Sequence, residues 1–308
     1  MKTIAELIKY FSDKKLSTKA GKVSPETKIV GGRNITEAGE NEITFLSAKY
    51  KDSARSLLEK TKAPLVIIDS SLYAELNPVA DNKFFVLSSE PKAAMNDCLT
   101  EYFLEKESPM VHSSATIHPE VVIGKAASIG PNVVIEKDVI IGDNCTIEPF
   151  VFIRSGTRIG NNVVIKSGAV IGGKGFGFVQ QADKTWKNFP HFGRVILEDN
   201  VEIGSNTCID RGALSDTVLK KGVKVDNLVH IAHNVTIGEN SLIIANSMIG
   251  GSTSVGENSW VSPSASLKNG LTIGPDTLIG MGAVVLKNVE AGTTIIGNPG
   301  TVLIKKSK

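Results

Sequence analysis

The chain has 308 residues, of which 41% are hydrophobic, and this is enough apolar material for a packed core rather than a disordered chain. Its 34 lysine and arginine residues nearly balance its 32 aspartate and glutamate residues. A net charge of +2 gives no strongly basic face, which argues against a protein that binds duplex nucleic acid.

The amino-terminal residues and the cysteines indicate the compartment. Residues 1–15 contain no uninterrupted apolar stretch and no small-residue cleavage site, so they predict a short amphipathic helix rather than a signal peptide. No window approaches the roughly 18 apolar residues of a membrane span. Cys98, Cys145 and Cys208 are far apart and lack a CxxC spacing, which argues against disulfides and structural zinc. We therefore expect a cytoplasmic protein.

Residues 1–108 show no short repeat and predict a small α/β domain, followed by a linker at Glu105–Pro109. Amphipathic patterns predict helices at Ile4–Phe11, Ala54–Lys60 and Lys92–Phe103. Short apolar runs predict strands at Ile43–Leu46, Leu65–Ile68 and Phe84–Leu87.

Residues 109–290 carry a six-residue repeat. An isoleucine recurs at this spacing ten consecutive times from Ile117 to Ile171, and the period resumes at Leu197 and runs to Val285 with one shift near Ser215. Period six fits neither an α-helix nor an alternating strand, but it is typical of a hexapeptide β-helix with three short strands in each 18-residue coil. The aliphatic residue should point inward, and the glycine that often follows it should tolerate the backbone angles of the corner.

Two segments interrupt the repeat, and a tail follows it. Residues 172–194 contain five aromatic residues, which require burial either against the β-helix or as a wall for an apolar ligand. Residues 210–217 predict a short corner loop. Residues 291–308 predict a closing strand pair that caps the open end of the β-helix.

Two histidines stand out as candidates for chemistry. His230 and His233 flank the inward Ile231 at positions that point away from the aliphatic core. An outward imidazole is a good general base near neutral pH. Gly251 follows His233 by 18 residues, so one coil separates the two and the free glycine N–H could serve as an oxyanion donor.

The sequence also resembles a known family. The segments at 173–178, 201–217 and 225–240, together with Trp186 and Gly250–Ser252, resemble the UDP-3-O-(3-hydroxyacyl)glucosamine N-acyltransferases of lipid A synthesis. The segment at 43–50 resembles the uridine-binding domain of that family.

The resemblance implies a left-handed parallel β-helix that works as a homotrimer, with active sites between neighbouring subunits. It implies that His233 is the catalytic base and that the Gly251 N–H stabilises the oxyanion. It also implies an acyl thioester co-substrate, carried by acyl carrier protein or by coenzyme A, with no metal and no tightly bound cofactor. The substrate-binding residues that we expect are Phe45, Tyr50, Asp210, Asn227, His230, Phe178 and Trp186.

Several alternatives stay open at this point. The segment Lys268–Leu271 lacks a histidine that the family carries there, and the residues after Leu278 resemble the ends of sugar acetyltransferases that use acyl-CoA. An acyl-CoA-dependent N-acetyl- or N-acyltransferase acting on another UDP- or dTDP-linked amino sugar, for surface polysaccharide, is therefore the alternative function. A zinc hydratase that uses His230 and His233, a non-catalytic scaffold and acetyl transfer to a hydroxyl are the remaining candidates.

Overall fold

The computed structural model describes residues 1–78, 82–105 and 108–302. The chain divides into two compact units, residues 1–107 and 108–308. Residues 106 and 107 of the predicted linker and residues 303–308 of the predicted tail lie outside the described residues.

The amino-terminal unit is a small α/β domain. Its helices are Ile4–Asp13, Ala54–Lys60, Ser70–Leu76 and Pro91–Tyr102, with a 3-10 helix at Ala48–Ser53. Its main sheet has five strands in the order Ser17–Lys19, Phe84–Ser88, Leu65–Asp69, Glu42–Leu46 and Gly31–Gly32. A separate antiparallel pair joins Lys2–Thr3 to Lys28–Ile29.

The local sequence explains how these elements form. Thr3 and Glu6 make a reciprocal capping box, in which the Glu6 N–H donates to Thr3 Oγ1 and the Thr3 N–H donates to Glu6 Oε2. The sheet separates two apolar clusters, one around Ile43 and Ile67 and the other around Val66 and Ile68, because alternate residues of a strand point to opposite faces. The three predicted helices and three predicted strands are confirmed, whereas the helix Ser70–Leu76 was not predicted.

Residues 108–302 form a left-handed parallel β-helix, which confirms the predicted fold class. Face 1 contains Ser128–Ile129, Thr146–Ile147, Val164–Ile165, Glu202–Ile203, Lys224–Val225, Leu242–Ile243, Trp260–Val261, Leu278–Ile279, Thr294–Ile296 and Thr301–Val302. Face 2 contains Thr116–Ile117, Val134–Ile135, Phe152–Ile153, Val170–Lys174, Cys208–Arg211, His230–Ile231, Met248–Ile249, Ser266–Leu267 and Val284–Val285. Face 3 contains Val122–Ile123, Ile140–Ile141, Arg158–Ile159, Val195–Leu197, Thr217–Leu219, Thr236–Ile237, Ser254–Val255 and Thr272–Ile273.

The core is a set of inward ladders that run along the axis. Strands pair in parallel so that each inward aliphatic residue sits on the next, as Ile231 sits on Ile249. Both residues are fully buried. A second buried ladder, which includes Val229 and Val235, consists of residues that lie two positions before the inward ones. Burial of each such side chain stabilises the fold by roughly 1.5–3 kcal/mol.

The structure corrects the role predicted for the glycines. The residues with left-handed φ lie two positions further along, at corner asparagines such as Asn206 (φ 56°) and Asn240 (φ 55°). The glycine after the inward residue is needed instead because backbones approach closely. A Cβ on Gly204 would lie only 2.3 Å from the carbonyl carbon of Asp226 in the next coil.

The inward ladders continue across both interruptions, with a local register shift between Ile171 and Gly173. The insertion at 172–194 forms an antiparallel hairpin from Phe178–Gln180 and Trp186–Asn188. Thr294–Ile296 joins face 1 and pairs with Thr301–Val302 in an antiparallel manner, as the closing strand pair predicted. Across the described part of the chain, no helix has the length and apolar character needed to cross a membrane.

Candidate active site

His233 lies at the corner between faces 2 and 3, where the side chain of Asn234 fixes its proton. The Asn234 amide Nδ2 donates to the carbonyl oxygen of Ser215 at 3.0 Å, and its Oδ1 accepts the Ala213 N–H at 3.0 Å. These two contacts define which end of the amide is oxygen, and that oxygen lies 2.9 Å from His233 Nδ1. In the neutral imidazole, Nδ1 therefore carries the proton and donates it, and Nε2 keeps the lone pair.

Gly251 lies one coil further along, beside that lone pair. The Ser252 N–H donates to the carbonyl oxygen of His233 at 2.9 Å, which stacks the two corners. A Cβ on Gly251 would lie 2.8 Å from His233 Nε2, so only glycine allows the imidazole this close. The stacking predicted from an 18-residue spacing is therefore observed.

Among the described residues, the Gly251 N–H has no acceptor, as is also true of the equivalent N–H at some other corners such as Glu239 and Glu257, whereas at other corners that N–H is occupied. The N–H of Ser205 donates to Asn227 Oδ1 at 2.7 Å, and the N–H of Ala245 donates to Asp226 Oδ2 at 3.3 Å. A free donor and an unprotonated nitrogen thus lie side by side, which is the pairing that acyl transfer requires.

The insertion places His191 against the candidate base, a contact that no pattern in the sequence indicated. The ring of His191 packs edge-on against the His233 ring, with centroids 5.5 Å apart. Its Nδ1 lies 2.9 Å from the carbonyl oxygen of Phe189, to which it donates. A Cβ on Gly175 would lie 2.7 Å from His191 Nε2 and 2.9 Å from His233 Cβ. The glycines of this segment therefore allow it to pack tightly on the base.

The aromatic residues of the insertion are not buried as expected. Phe176, Trp186 and Phe192 are 88%, 65% and 76% exposed, and Phe178 is 42% exposed. The rings of Phe178 and Phe176 pack edge-on against each other, with centroids 4.9 Å apart. The prediction that the β-helix of the same chain covers them is wrong, while a role in contacting a ligand stays a prediction.

Asp210 and His230 lie on neighbouring strands of face 2. Ile209 pairs with Ile231, and this register brings His230 Nε2 to 3.8 Å from Asp210 Oδ2. Burial raises the pKa of Asp210, and the nearby imidazoles of His230, His233 and His191 oppose that rise. Both residues therefore belong to the same cluster as the candidate base.

The other predicted residues lie elsewhere. Asn227 sits at the corner between faces 1 and 2, where its Oδ1 accepts the Ser205 N–H. In the amino-terminal unit, Phe45 is partly buried against the cluster around Ile43, and Tyr50 is 41% exposed beneath Lys49 Nζ. Among the described residues, Phe45 and Tyr50 make no ring pair, so the uracil clamp stays a prediction. The described part of the chain also holds no group of three or more His, Cys, Asp or Glu suited to a metal ion.

Comparison with known proteins identifies similar sequences. Residues 138–173 and 216–251 match the family model "Bacterial transferase hexapeptide (six repeats)", and residues 120–149 match "Hexapeptide repeat of succinyl-transferase". The UDP-3-O-acylglucosamine N-acyltransferase of Methylacidiphilum infernorum is 41% identical over 79% of this chain and 74% of that protein. The protein of the same name from Francisella tularensis is 56% identical, but that match spans only 20% of its length and 22% of this chain.

Solved structures show the same fold. The UDP-N-acetylglucosamine acyltransferase of Bacteroides fragilis matches with a TM-score of 0.57 and 27% identity, over 63% of this chain and 74% of that one. The enzyme of the same name from Francisella novicida matches with a TM-score of 0.57 and 25% identity, over 63% of this chain and 70% of that one.

Proposed function

The chain belongs to the UDP-3-O-acylglucosamine N-acyltransferase family, and from that premise we propose that it transfers an acyl group from a thioester to the amine of a UDP-linked amino sugar, as in lipid A synthesis. The observation that carries this proposal is the pairing at one corner of an unprotonated His233 Nε2 with the free N–H of Gly251. A base and a free N–H donor at stacked corners suit attack by a neutral nucleophile on a carbonyl.

The reaction follows from these two groups. The amine nitrogen attacks the thioester carbonyl carbon while His233 Nε2 accepts the proton that the nitrogen loses. The carbonyl oxygen becomes an oxyanion, which accepts the Gly251 N–H. As the intermediate collapses, the carbon–sulfur bond breaks and the Nε2 proton passes to the leaving thiolate, so the products are an amide and a thiol.

His233 is prepared for this work by Asn234. Because Asn234 Oδ1 accepts the Nδ1 proton, the imidazole keeps its lone pair on Nε2, the nitrogen nearest Gly251. When the ring becomes positively charged during attack, that same hydrogen bond strengthens and favours the charged form. The thioester is already an activated acyl donor, so the proposed reaction requires neither a metal nor a bound cofactor.

The partners belong to the proposal as well. Acyl carrier protein or coenzyme A would carry the thioester, and Phe45 and Tyr50 would hold the nucleotide base by stacking. The exposed aromatic rings of the hairpin support a homotrimer in which a neighbouring subunit covers them, because so many exposed rings are unusual for a monomer. Light scattering should give about three times the chain mass of 32.8 kDa; a monomer would contradict the trimer.

The experiment measures product formation by mass spectrometry, with UDP-linked amino sugars as acceptors and 3-hydroxyacyl-carrier protein, acyl-CoA and acetyl-CoA as donors. The wild-type chain should form an amide, and His233→Ala should lower kcat by about 10² to 10⁴-fold. His118→Ala is the matched control, since it removes an exposed histidine at the other end of the repeat. Activity of His233→Ala close to the wild-type value would overturn the assignment of the base, and no amide with any donor would overturn the function.

A further inference from the structure

Asp210 is an unusual carboxylate for this protein. Its side chain is only 14% exposed, yet no residue of the described chain donates a hydrogen bond to it, and His230 Nε2 at 3.8 Å is beyond hydrogen-bond distance. Several other carboxylates along the β-helix accept hydrogen bonds, as when Asp199 Oδ1 accepts the Asn161 N–H at 2.7 Å. Buried carboxylates normally accept hydrogen bonds because desolvation of the charge is costly.

Its neighbours place this carboxylate in the same cluster of side chains as the base. Asp210 pairs with Gly173 at the start of the insertion, where a Cβ would lie 2.9 Å from Oδ1. On its other side the strand pairs with His230–Ile231, which leads directly into His233. The imidazoles of His191, His230 and His233 are all close enough to oppose the effect of burial on its pKa. A carboxylate with no hydrogen-bond donor among the described residues is thus held in the same cluster of side chains as the candidate base.

We propose that Asp210 is the residue that selects an amine over a hydroxyl as the acceptor, by accepting the second N–H of the attacking nitrogen. This inference rests on the proposed function. An amine carries two N–H groups and one lone pair, so one N–H faces His233 Nε2, the other faces Asp210, and the lone pair faces the thioester carbonyl. A hydroxyl has a single O–H, which the base occupies, so the carboxylate would stay unsatisfied beside the hydroxyl oxygen.

The energetic consequence is a preference for the amine. A site that must hydrogen-bond its substrate rejects an analogue that lacks the donor, because its own buried acceptor is left without a partner. A hydrogen bond to a charged group corresponds to a preference of at least about tenfold. No other group has to move, because Asp210 forms no hydrogen bond that the substrate must first break.

The test compares binding of UDP-glucosamine and UDP-glucose, which differ by an amine or a hydroxyl at C2, to the full chain by calorimetry. The wild-type protein should bind UDP-glucosamine at least about tenfold more tightly. In Asp210→Asn that ratio should fall to near one, because the new amide can donate to a hydroxyl oxygen and removes the penalty. Asp276→Asn, the same change at an exposed corner, should keep the wild-type ratio.

The outcomes separate this inference from the proposed function. A wild-type ratio near one, or an unchanged ratio in Asp210→Asn, would overturn the role of Asp210 while leaving amide formation intact. If Asp210 acted only on stability, Asp210→Asn would change the thermal midpoint and leave the ratio unchanged. If neither sugar nucleotide bound the wild-type protein, both the inference and the proposed function would be overturned.

Discussion

Asn234→Gly is the substitution that isolates the hydrogen bond on which the base assignment depends. Asn234 has a φ of 62°, a left-handed conformation that glycine adopts without strain, so the corner should keep its path. The change removes the acceptor of the His233 Nδ1 proton. It also removes the contacts with Ala213 and Ser215 that fix the amide. The imidazole can then protonate at Nε2 instead and rotate.

The expected loss can be worked out from these contacts. Loss of the group that fixes a catalytic histidine costs up to about 10⁴-fold in kcat where that group is an ionised, buried aspartate. Asn234 is neutral and half-buried, so we expect a loss of about 10²- to 10³-fold with little change in KM. The three bonds to Ala213 and Ser215 contribute about 1 kcal/mol each at most, so the free energy of unfolding should fall by about 1–3 kcal/mol.

Steady-state kinetics and thermal unfolding measure the two effects separately. Asn258→Gly is the matched control, because Asn258 occupies an equivalent corner with a φ of 55° and an exposed side chain. The control should keep wild-type kcat. If Asn234→Gly kept kcat within about threefold of the wild-type value, or if Asn258→Gly lost as much, the argument that Asn234 fixes the His233 tautomer would be refuted.

Two further predictions concern the same cluster. Gly251→Ala should reduce kcat by at least about 10²-fold with the fold retained, because its Cβ would lie 2.8 Å from His233 Nε2; near-normal kcat in steady-state assays would contradict this. Burial raises the pKa of Asp210, so its charged form disfavours folding and stability is lost as pH rises through that pKa. Asp210→Asn should therefore raise the thermal midpoint relative to wild type more at pH 7 than at pH 4, whereas Asp276→Asn should show no such trend. A gain that grew as pH fell would show that the sign is wrong.

The sequence could predict the β-helix because its repeat is a direct consequence of the geometry. One inward residue per short strand produces a period of six, and the stacking of coils then places Gly251 beside His233 without any knowledge of side-chain contacts. The same period led to a wrong prediction of which residue takes the left-handed conformation at each corner. Gly204 was expected to supply unusual backbone angles, but it allows close approach of the next coil, and Asn206 takes the left-handed conformation.

The parts of the site that could not be predicted come from outside the repeat. His191 reaches the base only because the insertion folds back as a hairpin, and no periodicity relates its position to His233. Asn234 follows the base directly in the sequence, but its role depends on contacts with Ser215 in an irregular corner loop. The recurrence of asparagine three residues after the inward position was a signal for the corner conformation. It carried no information about the proton on His233.

The hairpin inserted at 172–194 also has a consequence for the order in which the β-helix assembles. Most coils pair strands that are 18 residues apart, as Thr146 pairs with Val164. Across the insertion the separation is longer, because Val164 pairs with Glu202 on face 1. Closing this longer loop costs about 0.6 kcal/mol more entropy, since each doubling of loop length adds that amount. The coils on either side of the insertion can therefore form first, and the strands that flank the insertion pair last. We expect the surroundings of His233 to be complete only after that step. Activity should therefore appear during folding when the two preformed halves of the β-helix join.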